Sequence, residues 1–500
     1  MTGLVRDGAI SRLFGPGPLA SAFYFAFLIP NLFRRLFGEG ALAAAFLPSF
    51  SKLHHEDPNQ AKALATLTIS KLVLLLGGIT LVGELLLWWI LSVQSEPSVS
   101  LELAMVMLPY MPLVCCVAIF AAMLHVHDKF GPPASAPIIL NGLMIAAALA
   151  FVGFFDNPLN HMVVIGVAVV LAGVFQILWS LFALRKFGWY ASKTPESQVE
   201  FKLMMRRMVP MAIGLGVLQI NTLLDGLIAS WPTLFGDMFF FGLQYPLGDG
   251  AMGSLSWAQR LYQFPLGVFG IAVATAIYPL LAKQSKDGVS FTATMHRGLR
   301  LVVFIGLPAS VGLILVRNPL ASAVFQGVNF TSQDALAVGA ILLGYAPAVW
   351  AYSMTQVLIK GFYAKEDAMT PIKVAMACVV LNFILNMILI WTPLRTAGLA
   401  WSTAFCAVVQ VCILMVLIRK HVDVIVDRAV IQSWLSTAIL TVVMGGVVAY
   451  VTQSIWDTSG DWLHTCWALF IAVGTGIVVM VAGSLLLKRP ELYWMLGKQR

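Results

Sequence analysis

Apolar runs long enough to cross a bilayer recur along the whole chain, separated by short polar breaks. Runs of at least ~18 apolar residues with few charges predict membrane-spanning helices. In chain order they fall at 18–52, 62–93, 101–126, 134–155, 160–184 and 203–230, preceded by a short one at 1–14. A second series follows at 250–282, 296–316, 332–360, 371–393, 397–418, 430–452 and 464–487. The pattern predicts an all-α polytopic membrane protein of fourteen helices, the first of them truncated.

Residues 18–53 depart from the pattern. The stretch is apolar enough to span, yet it holds Pro30-Asn31, the adjacent Arg34 and Arg35, and a Gly38-Glu39-Gly40 break. An arginine at mid-membrane costs ~2.5–3.5 kcal/mol on the insertion scale, and such residues usually face a bundle interior or a wet cavity. Pro and Gly are tolerated there where the freed backbone lines protein or water. Two readings stand side by side: an interior arginine pair, or a loop at the cytoplasmic membrane edge.

Loop charges give an independent orientation. Segments 94–100, 156–159, 231–249 and 453–463 contain no Lys or Arg, whereas the alternate loops and the C-terminal tail are basic. Lys and Arg concentrate on the cytoplasmic side, so both termini are expected there, in a cytoplasmic (inner) membrane. The net charge of +8 then follows from topology, and no nucleic-acid partner is needed to explain it. With 59% hydrophobic and 11% charged residues, no soluble domain of any size fits in the chain. The six cysteines lie mostly in apolar runs without metal spacing, and the eight histidines form no HxxxH or HExxH pair. No cleavable signal peptide is evident.

Faint internal repetition suggests a transporter built from two related halves. AAAFLPSFSK at 43–52 resembles TAIYPLLAK at 275–283, pairing Pro48 with Pro279, and upstream Pro30 pairs with Pro265 across a small gap. HDKFGPPASAPIILN at 127–141 more loosely matches KEDAMTPIKVAMACVVLN at 365–382. This divides the chain into an N-terminal lobe at 1–184, a basic cytoplasmic linker at 185–202, a C-terminal lobe at 203–420, and two further helices with the tail at 421–500. The lobes are expected to be pseudo-symmetric six-helix bundles around a central cavity.

The charges inside these spans point to a ligand. Arg6, Arg34, Arg35 and Glu39 in the first half, with Arg260 in the second, would bring several guanidiniums into one cavity. A guanidinium stays charged and binds phosphate through two parallel hydrogen bonds, which suits a pyrophosphate. A helical Arg35–Glu39 pair and a structural ion pair at Arg260 are the competing readings. A second polar set comprises Asp225, Asn382, Asn386 and Ser402, whose oxygens could hold a cation. Interhelical hydrogen bonding by the amides is the alternative.

LVRDGAISRLFGPGPLASAFYFAFLIPNLFRRLFGEGALAAAFLP resembles the N-terminal signature of the MurJ (MviN) lipid II flippases of the MOP exporter superfamily. WAQRLYQFPLGVFGIAVATAIYPLLAK and KGFYAKEDAMTPIK resemble that family's second-half signatures. The PN-x-x-RR-x-x-x-EGA run separates it from drug exporters of the same superfamily. The resemblance implies alternating access around a cationic cavity, with Arg6, Arg34 and Arg260 as cavity arginines and Arg35 and Glu39 beside them. It implies lipid II as cargo, surrounding membrane lipids and the cell-wall synthesis machinery as partners, and no bond chemistry. It also implies a sodium site at Asp225, Asn382, Asn386 and Ser402, with the Gly398 carbonyl, sodium being the coupling ion and no cofactor being needed.

Three departures from the family pattern bear on this. A family arginine would fall immediately before Met1, so the start of helix 1 is expected to lie upstream of this sequence. Ser21 stands where the family often has Asp, and Gln259 where Asp precedes the second-half arginine. Asn386 replaces an acidic cation ligand. The rival functions are a flippase for another undecaprenyl-pyrophosphate-linked glycan, a drug or cation antiporter, and a membrane glycosyltransferase. The arginines would repel organic cations, and the non-cytoplasmic loops carry acids without a catalytic motif.

Overall fold

The computed structural model describes residues 2–38, 40–94, 97–194, 197–239, 242–422, 424–458 and 460–495. Among them every named element is helical, and the only strand-like pairings are two isolated bridges, Met238 with Gln244 and Gly327 with Phe330. Eleven helices among the described residues are long and apolar enough to cross a membrane, which makes this a multi-pass membrane protein. It divides into two compact units, Met1–Gly253 and Ser254–Arg500.

The first unit holds α1 (Thr2–Phe14), α2 (Pro18–Phe33), α3 (Ala41–Glu56), α4 (Pro58–Val93), α5 (Val99–Met107), α6 (Tyr110–Val126), α7 (Gly131–Ala150), α8 (Pro158–Arg185) and α9 (Ser197–Phe235). The division falls beyond the basic linker because α9 packs on α2, α3 and α4. The predicted span 18–52 is not one helix: a π-helical turn, Arg34–Gly38, lies between α2 and α3. Pro30 removes one rung of the hydrogen-bond ladder ahead of it, and a glycine pair at 38 and 40 flanks the break. The described parts of the apolar loop after α9, residues 236–239 and 242–250, fold back on the end of that helix. Trp231 stacks on Tyr245 at 5.6 Å, and the Tyr245 hydroxyl donates to the Ile228 carbonyl at 2.8 Å.

α10 (Ala251–Pro265) begins in the first unit and runs into the second. The second unit continues with α11 (Ala272–Lys283), α12 (Gly288–Phe325), α13 (Ser332–Tyr345), α14 (Ala348–Ala364), α15 (Met369–Leu389), α16 (Thr396–Leu417), α17 (Arg428–Ile455), α18 (Trp462–Leu486) and α19 (Pro490–Met495). Here too a π-helical turn, Leu266–Ile271, follows a proline, Pro265, and leads into a helix holding Pro279. The helix after each of these pairs starts on an aspartate. Asp57 accepts from the Asn59 and Gln60 amides, and Asp287 from those of Val289 and Ser290. Each carboxylate satisfies donors that the first helical turn leaves without partners. The repeat seen in the sequence is thus a repeat of helix, π turn, helix and Asp cap.

α19 is fastened by a buried carboxylate. Arg300 on α12 reaches Glu491 at 2.7 Å, Arg489 reaches it at 3.1 Å, and the Ser433 hydroxyl of α17 donates at 2.6 Å. Burial pushes the Glu491 carboxyl up, but Ser433, Arg300 and Arg489 outweigh it and hold the group below its ordinary range. Trp494 receives the guanidiniums of Arg297 and Arg300 at 4.9 and 4.8 Å, so aromatic contact adds to the ion pairs.

Candidate translocation site

Arg6 sits in the middle of α1, buried to 3% exposure, with Asp7 beside it at 1%. A charge taken that far from water is tolerated only when paired and hydrogen-bonded. The Arg6 guanidinium donates to Asp7 through Nε at 2.9 Å and Nη2 at 2.6 Å, and through Nη1 to the Asn141 amide oxygen of α7 at 3.1 Å. Tyr24 of α2 donates to the same Asp7 oxygen at 3.0 Å, and the guanidinium carbon lies 5.2 Å from the Phe27 ring centroid. The Asn141 amide nitrogen donates to Thr2 and to the Pro137 carbonyl, which fixes the orientation of its oxygen. Arg6 is therefore held rigidly by three helices.

Arg34 and Arg35 occupy the π turn. A π turn admits one extra residue per turn and recurs at functional sites, because it re-aims the side chains that follow. Arg34 is half-buried and donates from Nε to Asn31 at 3.2 Å, while Arg35 is exposed. Glu39, the predicted neighbour of Arg35, lies outside the described residues. In the second unit, Arg260 is half-buried on α10, one turn before Pro265.

The two positions that depart from the family's Asp pattern hold hydrogen-bonding neutral groups. The Ser21 hydroxyl accepts from the Gly253 amide at 3.1 Å, satisfying a donor in the first turn of α10. The Gln259 amide donates to the Tyr345 hydroxyl at 3.0 Å, beside a Tyr262–Tyr345 stack at 4.6 Å.

The proposed cation ligands are divided between the units. In the second, Asn382, Asn386 and Ser402 are all buried and hydrogen-bond one another across α15 and α16. Ser402 donates to the Asn386 oxygen and Asn386 to the Asn382 oxygen, the latter at 3.0 Å, while Asn382 donates to Ser402 at 3.4 Å and Thr403 at 3.5 Å. Within this unit the set behaves as interhelical amide bonding. Gly398 packs tightly on Leu389, where a Cβ would strike the backbone. Asp225 is buried in the first unit on α9 and accepts from Asn221 at 3.2 Å. No group of three or more His, Cys, Asp or Glu side chains suited to a metal occurs among the described residues.

Sequence reasoning missed Tyr24, Phe27 and Asn141, which orient Arg6. Asn141 did leave a trace, because it ends the segment 127–141 that matches 365–382, whose last residue is Asn382. Both asparagines proved to be buried amides joining helices.

The comparisons with known proteins agree in kind. A family model described as "Lipid II flippase MurJ" matches residues 10–470. A protein of Vibrio cholerae described as a probable lipid II flippase MurJ is 30% identical over 82% of this chain and 78% of its own length. One of Haemophilus influenzae with the same description is 29% identical over 95% of each. Among solved structures, a lipid II flippase MurJ in an inward closed conformation superimposes with a TM-score of 0.78 at 22% identity, covering 98% of this chain and 96% of that one. A multidrug-resistance MATE transporter of the MOP superfamily in an inward-facing conformation gives 0.67 at 13% identity over 84% of this chain and 94% of its own. The chain shares the fold of these solved structures, and it belongs to the lipid II flippase MurJ family.

Proposed function

We propose that this protein flips lipid II from the cytoplasmic to the periplasmic leaflet of the inner membrane, by alternating access and without making or breaking a bond. The observation that carries the reading is the family match across residues 10–470. It coincides with arginines set within the apolar helices α1, α2–α3 and α10, where a membrane protein places charge for function. Arg34 and Arg260, with Arg35 at the rim, are assigned to the pyrophosphate, and the rigid Arg6 to its approach or to lobe geometry. The polyprenyl tail stays in lipid. With the inside negative, an anion leaving the cytoplasm moves downhill by ~2.3 kcal/mol per charge per 100 mV, so the potential can drive export. Both termini are assigned to the cytoplasm.

The test is leaflet-resolved lipid II in cells depleted of this protein, probed from the periplasmic side. Loss of outward-facing lipid II with a rising cytoplasmic pool is the expected result. Normal sidedness would redirect the assignment to another lipid-linked glycan.

Sodium as the coupling ion is a second part of the proposal, at Asp225, Asn382, Asn386 and Ser402. It requires the Asn386 oxygen to exchange the Ser402 hydroxyl for the ion. Asn386→Asp supplies a charged oxygen there and should strengthen the sodium dependence of transport severalfold. An unchanged sodium response counts against the site.

A further inference from the structure

The buried stripe of α4 runs into a carboxyl. Leu72, Leu76 and Thr80 follow one another at four-residue spacing and are all buried, while Leu74, Leu81, Val82 and Leu85 are exposed on the remaining surface. The next position of the series is Glu84, which is partly buried. Gly83 beside it lies so close to Leu108, the residue that follows α5, that a Cβ would meet the Leu108 side chain. Glu84 therefore lies along the packed face of the helix. Its Oε1 is shielded and has no hydrogen-bond partner among the described residues, and neither has the buried Thr80 hydroxyl one turn away.

Depth rules out a surface explanation. At ~1.5 Å per residue, Glu84 is ~13 Å from the helix end at Val93 and ~20 Å from the exposed Lys71. Exposed Trp88 and Trp89 lie one turn further toward Val93, where amphipathic rings mark the membrane–water interface. Glu84 is inside that belt.

An ion pair would be the bland explanation, and the neighbouring elements offer none. α4 packs on α3, α5, α6 and α9. The last turns of α3 carry Lys52, His54, His55 and Glu56, α6 ends at His125, and the early turns of α9 carry Glu200, Lys202, Arg206 and Arg207. These belong to the Asp57 end of α4: His127 after α6 meets His54 at 4.7 Å, and Tyr190 before α9 reaches Asn59 at 3.3 Å. At the other end Ser98 before α5 bonds Thr233 near the close of α9, and the charged groups in that half are acids, Glu102 on α5 and Asp225 on α9. An ionised carboxylate among apolar side chains without a counter-charge is very costly. One carboxyl and one hydroxyl also fall short of the six or more oxygens that hard cations such as calcium and magnesium collect.

We propose that Glu84 is a proton-binding site inside the membrane, distinct from the arginines assigned to cargo. Its carboxyl carries a proton while α4 is packed in this arrangement and exchanges it with water when that packing opens. The Thr80 hydroxyl, one turn below, is the natural hydrogen-bond partner for the protonated carboxyl after a side-chain rotation.

The experiment treats the purified full chain, in lipid nanodiscs at about neutral pH, with dicyclohexylcarbodiimide, a lipid-soluble reagent that adds to protonated carboxyls. Modified residues are mapped by peptide mass spectrometry, with the exposed Glu56 as internal reference. Glu84 should be modified at least about tenfold more than Glu56, the ratio that one unit of proton affinity produces. A water-soluble carbodiimide should reverse the preference, and Glu84→Gln should remove the lipid-phase label. Glu84 modified no more than Glu56, or modified preferentially by the water-soluble reagent, overturns the proposal. The readout needs no transport, so its failure leaves the flippase assignment untouched.

Discussion

Alanine at Arg34, or at Arg260, is expected to abolish outward movement of lipid II while the protein still inserts and folds. Both side chains are half-buried, so truncation removes a charge without emptying a packed core. Hydrogen bonds to charged groups are worth ~1.5–3 kcal/mol each, so losing a two-pronged grip on pyrophosphate should reduce capture by two orders of magnitude or more. Lysine at either position keeps the charge and loses the planar fork, and should restore only part of the activity. The Arg34 case has a second source of sensitivity. Its aim is set by the π turn and by the bond to Asn31, so Asn31→Ala should weaken flipping with Arg34 intact. The measurement is lipid II flipping in proteoliposomes, normalised to inserted protein. Wild-type rates from both alanine variants would remove these arginines from the cargo path.

The architecture was legible because its signals are long. Twenty apolar residues read as a spanning helix whatever they pack against. The break at 34–38 was legible as an interruption, through Pro30 and the glycines, but its geometry was not. A π turn leaves no periodic mark in five residues. Arg6 stood out as a charge in an apolar helix, yet the partners that decide its state are distant in sequence. Asn141 is 135 residues from Arg6 and Tyr24 is seventeen from Asp7, and neither carries a charge. Asn386 shows the reverse case. Read alone it is a weakened cation ligand; in place, it is a donor to Asn382 and an acceptor from Ser402. Glu84 was overlooked because a single acid within thirty-six otherwise mostly apolar helical residues changes no pattern. Only the stripe of buried neighbours shows which way it faces.

The Arg6–Asp7 pair yields the largest expected loss of stability. Asp7→Ala would leave a guanidinium at 3% exposure with Asn141 as its remaining acceptor in this network, and would remove the acceptor that Asp7 offers the Tyr24 hydroxyl. Removing one partner of a buried ion pair costs ~3–5 kcal/mol, a large part of the ~5–15 kcal/mol by which native proteins are stable. The Asp7→Ala protein should therefore melt far below wild type, or fail to accumulate. Replacing both partners by apolar residues of similar size is often neutral or stabilising, since desolvation of both charges is avoided. The double variant Arg6→Met, Asp7→Leu should accordingly recover most of the lost melting temperature. What it should not recover is flipping, if the oriented guanidinium serves transport and not only packing. Melting in detergent and flipping in proteoliposomes, measured on the same three proteins, separate these roles. An Asp7→Ala protein as stable as wild type would mean that the pair is solvated in the working protein. A double variant that flips lipid II normally would reduce Arg6 to a structural residue and leave the work to Arg34 and Arg260.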